Sequence, residues 1–515
     1  MHPSHPTPDG AKGADARTRY LGVDGLRDGL TQRATRGGIV TLAAQAVKVA
    51  VQAGAIVLLA RLLAPSDFGL FAMVAAFLAV LEIFKDFGLS TATVQCDEIS
   101  DQQVSTLFWL NAALGLSVAA IAALSAPLLT WLYGEPALLG ITPVVAVAFL
   151  FTGIAAQHLA LLRRQMAFLA VVWVQVFAEI VAMTAAVAAA FLGAGYWALA
   201  IQRVVWAAAI AIGAWTACGW RPSKPGRMAD VKGLIAFGGN ATAAMTVGHL
   251  AGSLDKILIG WLWGATALGF FERAQKLILM PMLNMTTPLS AVGISALSRL
   301  ASEPVRYREA YLATVERLAM VIAPVGGLVM AAADPIVLFV LGPQWTAAGP
   351  ILAWLGIGML YMTVTYTLSW LYMSQDRTPE MFRAGIVNAA MTVIAILCGL
   401  PFGAVGVAAA LGLSGAIRAP VLFWLVARQG PVGMRDLCGV LAMPIAAAAA
   451  TACAVVAMRA VDGFDALSAP STVVVLSVAA VAISLAVYGA VPHSRRILGH
   501  GLRTSAIFFR REAKA

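Results

Sequence analysis

Apolar runs of 20 residues or more follow one another from residue 38 to residue 491 of this 515-residue chain. A helix needs roughly 20 apolar residues to cross a bilayer. Such runs occupy residues 38–62, 67–89, 104–132, 141–162, 168–192, 196–217, 233–262, 267–298, 311–340, 349–374, 381–400, 404–427, 437–458 and 471–491. Composition agrees: 60% of residues are hydrophobic and 12% charged, where soluble domains carry about 25% charged residues. The chain therefore reads as an all-α polytopic membrane protein of about 14 transmembrane helices. Residues 1–37 hold no apolar run and no signal-peptide pattern, and read as a cytoplasmic tail.

Lys and Arg accumulate on the cytoplasmic side of membrane proteins. With both termini inside, 25 of the 35 Lys and Arg fall in the two tails and the inward connections, against Arg61 and Arg459 at outward ones. One missed or invented span would reverse the sides downstream and destroy this bias. The same distribution explains the net charge of +10 without nucleic acid. The five cysteines, Cys96, Cys218, Cys398, Cys438 and Cys453, lack the spacing of a disulfide framework or a zinc site. No cofactor and no metal site is expected.

A repeat gives the spans an order. LLAPSDFGLF at 62–71 is echoed by LWGATALGFF at 262–271. Arg36-Gly37-Gly38 is echoed by Phe237-Gly238-Gly239. Tyr133-Gly134 through Pro143 is echoed by Leu341-Gly342 through Pro350, and Gly195-Tyr196-Trp197-Ala198 by Gly406-Val407-Ala408-Ala409. The echoes keep their order at offsets that grow slowly from about 200, so the first six spans are duplicated as the next six. Both copies then enter from the same side, as a parallel repeat about an axis along the membrane normal. The expected organisation is a tail (1–37), an N-lobe (38–217), a cytoplasmic loop (218–232), a C-lobe (233–427), an extra helix pair (437–491) and a basic cytoplasmic C-tail (492–515), with the lobes pseudo-symmetric around a central cavity.

Charges inside the spans carry the functional signal, since each costs at least about 2.5–3.5 kcal/mol at membrane depth unless it faces a partner or a cavity. Glu82, Lys85 and Asp86 fall on one helical face and can pair among themselves. Glu316 and Arg317 lie near the cytoplasmic end and can reach the surface; Asp334, before Pro335, reads as structural. Asp255 and Lys256 are adjacent and should point apart. Lys48 sits near the midplane with no acid three or four residues away, and its counterpart in the repeat is His249. Arg203 and Arg418 also lack an acid at helical spacing, and Arg273 and Lys276 lie one turn apart. Lys48, Arg203, Lys256, Arg273, Lys276 and Arg418 are the candidate lining of a cationic cavity suited to a phosphate or pyrophosphate; interhelical ion pairs are the other reading. Glu179, near the midplane without a basic neighbour at helical spacing, is the candidate for ion coupling. His158 reads as a packing residue. No GxxxxGK[ST] phosphate loop and no HExxH is present, and no outward connection is long enough for a polymerase or ligase site.

The segments ARLLAPSDFGLFAMV, QCDEISDQQVSTLFWLN, LLRRQMAF and LGPQWTAAGPIL, in that order, resemble the Wzx-type lipopolysaccharide and exopolysaccharide flippases of the multidrug/oligosaccharidyl-lipid/polysaccharide exporter superfamily. The resemblance spans about residues 36–490. It implies two six-helix lobes, an extra pair and a cationic cavity. It also implies transport of undecaprenyl-diphosphate-linked oligosaccharide across the bacterial inner membrane, with polysaccharide polymerase and co-polymerase proteins and membrane lipids as partners. No catalytic residues carry over. Two other readings stay open: a cation-coupled multidrug-type exporter of the same fold, and a non-transporting scaffold for polysaccharide assembly.

Overall fold

Inside a bilayer every backbone N–H and C=O must be satisfied by the protein itself, which only helices and closed barrels achieve. The computed structural model describes residues 30–82, 88–96, 99–227, 252–461, 468–492 and 494–495, and no strand occurs among them. Among the described residues, eleven helical stretches are long and apolar enough to cross a membrane, one of which, Thr378–Ala427, contains two of the expected spans. The helix Leu30–Leu62 covers the first expected span. The seventh, 233–262, lies mostly outside the described residues, as do Lys85, Asp86, His249 and both tails. The chain is an all-α polytopic membrane protein that divides into two compact units, Met1–Gly269 and Phe270–Ala515.

The first unit comprises α1 (Leu30–Leu62), α2 (Pro65–Glu82), α3 (Leu89–Gln95), α4 (Asp101–Leu124), α5 (Ala126–Tyr133), α6 (Ala137–Arg164), α7 (Phe168–Phe191), α8 (Trp197–Ala217) and the opening segment of α9 (Leu254–Arg299). Ser100 starts α4 with a capping box: its hydroxyl accepts from Gln103 N–H, and the Gln103 side chain accepts from Ser100 N–H. Helix α6 is the hub, packed on α4, α8 and the short α3. A buried polar chain holds α3 there, with Asn111 donating to Gln157 (3.3 Å), Gln157 to the Thr93 hydroxyl (2.8 Å) and Thr93 to Leu89 O (3.0 Å). His158 is fully buried, stacked on Trp215 at 4.4 Å and edge-on to Phe108 and Trp220, which is the packing role its sequence position suggests. The chain leaving α8 docks back on α4: Trp220 Nε1 donates to Asp101 at 2.8 Å, and Gly226 N–H to Thr106 at 2.8 Å.

The second unit comprises the rest of α9, α10 (Pro304–Ala331), α11 (Ala333–Val340), α12 (Ala348–Ser374), α13 (Thr378–Gly399), α14 (Gly403–Ala427), α15 (Met434–Arg459) and α16 (Ala469–Ala490). Its core gathers Tyr307, Tyr311, Trp370, Tyr372 and Phe423. The buried hydroxyls are answered, Tyr307 by Ser374 at 2.6 Å and Tyr311 by Thr367 at 3.1 Å. The extra pair, α15 and α16, is fixed to α10: Tyr488 donates to Met320 O at 2.9 Å, and Arg308 Nε to Asp436 at 2.7 Å. Asp334 is structural as expected, lying 3.5 Å from Arg459, which also donates to Ala331 O. Glu316 departs from expectation, since it is 6% exposed and packed within the unit.

The duplication is visible in the elements. Helices α4 to α8 and α10 to α14 run through one sequence of lengths: a long helix, an eight-residue helix, then three long ones. Gly134 and Gly342 follow the two short helices, both at positive φ. The described non-glycine residues with positive φ are Met166 (53°) and Asp376 (55°), 210 residues apart in the same turn of each copy. A left-handed residue costs about 1–2 kcal/mol, so its recurrence marks one turn design used twice.

The matched decapeptides behave likewise. Ala64 N–H donates to the Asp67 side chain and Pro65 begins α2. Two hundred residues on, α9 breaks at Gly264 (φ 79°, ψ 179°) and resumes. Within the first unit the two turns pack on each other reciprocally. A Cβ on Gly69 would lie 1.7 Å from Ala265 O, and one on Gly269 would lie 1.9 Å from Pro65 O. Each contact is the other with its partners exchanged, as a two-fold relation requires, and glycine at both centres lets the backbones touch. Replacing Gly69 or Gly269 with Ala must therefore push these helices apart. Either change is expected to cost about 1–3 kcal/mol and to lower the unfolding temperature of the detergent-solubilised chain, read by scanning fluorimetry. Gly54→Ala, where a Cβ meets nothing within 4 Å, is the control and should leave that temperature unchanged or raised.

Candidate functional site

Helix α1 packs along α7, and this sets the position of Lys48. Its ammonium donates to Gln175 Oε1 at 3.3 Å. Glu179 lies four residues further along α7, on the same helical face as Gln175. Opposite them, α8 presents Arg203, whose Nη2 lies 3.3 and 3.2 Å from the two carboxylate oxygens of Glu82 at the end of α2. The Arg203 guanidinium also lies over Trp206, 5.6 Å from the ring centroid. Lys48, Glu82, Glu179, Arg203 and Trp206 line a cavity of about 400 Å³ in the first unit, together with Gln52, Gln202 and apolar residues of α2, α6 and α8.

Three residues singled out in the sequence, Lys48, Glu179 and Arg203, thus share one cavity. Its formal charge is balanced, with Lys48 and Arg203 set against Glu82 and Glu179. Arg203 has no acid at helical spacing because its acid comes from another helix, and Glu82 is engaged by Arg203. The pair remains 32% and 37% exposed. Protein does not enclose either side chain, so the pair can open at lower cost than a fully buried one. Lys48 differs, because Gln175 is a neutral partner.

The other named cations lie elsewhere. Lys256 Nζ comes within 3.6 Å of Asp255; the two were expected to point apart, but a long lysine stem reaches back to its neighbour. In the second unit Glu272 receives both Arg273 Nε at 2.7 Å and Lys276 Nζ at 3.4 Å. Arg418 donates to the Thr392 hydroxyl at 2.7 Å and to Leu411 O at 3.3 Å, and its Nε has no partner among the described residues. No group of three His, Cys, Asp or Glu among the described residues is arranged to hold a metal ion. Sequence reasoning missed Gln175, Gln202 and Trp206. Neutral polar and aromatic residues leave no mark on a hydropathy reading, and only the four-residue spacing of Gln175 and Glu179 could have flagged the first.

Known proteins provide a frame for this geometry. The chain is 27% identical over 278 residues to the teichuronic acid biosynthesis protein TuaB of Bacillus subtilis (strain 168), covering 54% of this chain and 58% of that protein. It is 22% identical to the lipopolysaccharide biosynthesis protein WzxC of Escherichia coli (strain K12), covering 68% of this chain and 72% of that one. In fold it is similar to the lipid II flippase MurJ in an inward closed conformation, with a TM-score of 0.68 at 14% identity over 87% of this chain and 97% of that one. A family model described as polysaccharide biosynthesis protein matches residues 58–350. That match takes in more than half of the sequence, and the chain belongs to this polysaccharide biosynthesis family.

Proposed function

We propose that this protein is a flippase rather than an enzyme, moving undecaprenyl-diphosphate-linked oligosaccharide from the inner to the outer leaflet of the bacterial inner membrane by alternating access. Both termini are cytoplasmic in this reading. An N-lobe (38–217), a C-lobe (233–427) and an extra helix pair (437–491) form its working parts. Polymerase and co-polymerase proteins are its partners in polysaccharide assembly. The observation that carries the reading is a cavity of about 400 Å³ lined by Lys48, Arg203 and Glu179, in a member of a polysaccharide biosynthesis family.

The chemistry follows from the partners. A diphosphate offers charged acceptors where Gln175 offers a neutral one, so Lys48 exchanges a hydrogen bond to a neutral amide for an ion pair with an anion. The low dielectric of the surroundings strengthens that attraction. Arg203 joins by exchanging Glu82 for phosphate. Lys256, Arg273, Lys276 and Arg418 are engaged by Asp255, Glu272 and Thr392, so the reading rests first on Lys48. With no phosphate-loop motif in the sequence, the work comes from an ion gradient, the membrane potential or removal of product. Glu179 is a carboxyl in the cavity able to exchange a proton or sodium ion. One observation favours the second reading, a cation-coupled exporter of small molecules: the two carboxylates of the cavity equal its two cations in number.

A strain lacking the protein separates these readings. Mass spectrometry of its undecaprenyl-linked intermediates should show complete repeat units accumulating; an unchanged lipid-linked pool with altered sensitivity to cationic drugs would favour the exporter. Lys48→Ala should lower transport of the lipid-linked sugar about tenfold or more, the worth of a hydrogen bond to a charged group. Its abundance should not change, since among the described residues Lys48 is held by the neutral Gln175 alone. Full transport by this variant would remove Lys48 from the site. Glu179→Gln in vesicles with an imposed pH or sodium gradient should transport without responding to the gradient, whereas an unchanged response would exclude Glu179 from coupling.

A further inference from the structure

The second unit holds a separate cavity of about 500 Å³ where the start of α13 meets the end of α14, lined by Tyr372, Glu380, Arg383, Arg428 and Gln429. Its charge is predominantly basic. Glu380 is already taken by Arg377, whose Nε donates to it at 3.0 Å. Arg377 is fixed further by Val426 O and by the face of Tyr372. Arg383 and Arg428 are exposed and form no ion pair among the described residues. Arg428 lies 4.3 Å from the centre of the Trp424 ring, which orients the guanidinium without neutralising it.

The repeat shows that the scaffold does not require these arginines. With Met166 and Asp376 in register, Tyr372, Glu380, Arg383 and Arg428 occupy the positions held in the first unit by Leu162, Ala170, Trp173 and Cys218. There Leu162, Cys218 and the following Trp220 are buried in one apolar cluster, while Trp173 stays 55% exposed. The same positions thus carry apolar side chains in one copy and a basic set around an open cavity in the other. Around the open copy, Phe382, Ile386 and Trp424 are 43–49% exposed, an apolar rim suited to acyl chains. Basic pockets between transmembrane helices at the cytoplasmic surface are suited to acidic lipid headgroups.

We infer that Arg383 and Arg428 bind the anionic phosphodiester headgroup of a membrane phospholipid, at an accessory site distinct from the cavity of Lys48. The phosphate lies between the two guanidiniums, Tyr372 and Gln429 supply further polar contacts, and the acyl chains lie along Phe382 and Trp424. The site is independent of the transport reading, and its test is a binding measurement. Native mass spectrometry of the detergent-solubilised full chain, titrated with phosphatidylglycerol, phosphatidylcholine or glycerol 3-phosphate, reads occupancy directly. The wild-type chain should retain phosphatidylglycerol in preference to phosphatidylcholine. The double variant Arg383→Gln/Arg428→Gln should bind it roughly 30-fold more weakly, the effect of two basic residues at a membrane surface, and each single variant should fall between. Arg306→Gln, at an exposed arginine paired with Glu303, should bind as wild type, and equal unfolding temperatures will show that the variants fold. Equal binding of the two lipids, or an undiminished preference in the double variant, overturns the site. Displacement of the lipid by an equal concentration of glycerol 3-phosphate overturns the assignment to a lipid.

Discussion

A charge at membrane depth has to be answered from within the bundle, at a cost of at least about 2.5–3.5 kcal/mol if it is not. Much of this protein's internal order follows from how its charges are answered. Glu82 ties α2 to α8 through Arg203, Glu272 collects Arg273 and Lys276 on α9, and Arg459 closes α15 on Asp334. Where the partner is a carboxylate, the charge is largely spent on structure. Where it is neutral, as with Gln175 on Lys48 or Thr392 on Arg418, no ion pair holds the cation among the described residues. That distinction, more than the presence of a basic residue in a span, separates a candidate ligand-binding cation from a structural one.

The same constraint makes the fold economical to duplicate. Once an arrangement of helices satisfies its backbone internally, copying it reproduces a solved problem. The marks of copying survive where sterics leave little choice: the left-handed residues Met166 and Asp376, the glycines after the short helices, and the turns around Gly69 and Gly269. Side chains are freer to diverge. The corner that one copy fills with Leu162, Cys218 and Trp220 is basic and open in the other.

This contrast explains what could be read from the sequence. Most span positions, the repeat and a turn within 262–271 were legible, because hydropathy and glycine placement are one-dimensional signals with direct backbone consequences. The packing role of His158 and the structural role of Asp334 were legible for a similar reason: both sit where a local pattern already excludes alternatives. Interhelical partners were not. Nothing along α8 shows that Arg203 meets Glu82, 121 residues away, and nothing along α1 shows that Lys48 meets Gln175, 127 residues away. The basic residues picked out within the spans give only part of one cavity's charge, since it holds as many carboxylates as cations. Depth in the membrane identifies which residues need partners, but only the packing of helices identifies the partners.

The central claim is that this chain moves a lipid-linked oligosaccharide between leaflets. The direct measurement is leaflet exchange in vesicles reconstituted with the purified full chain and an undecaprenyl-diphosphate-linked oligosaccharide labelled on its sugar. An impermeant sugar-cleaving enzyme, added outside, reports the exposed fraction over time. The account predicts that label starting in the inner leaflet becomes accessible much faster than in protein-free vesicles. Label that stays protected at the protein-free rate, in vesicles where the chain is shown to be folded and a suitable ion gradient is imposed, would contradict it.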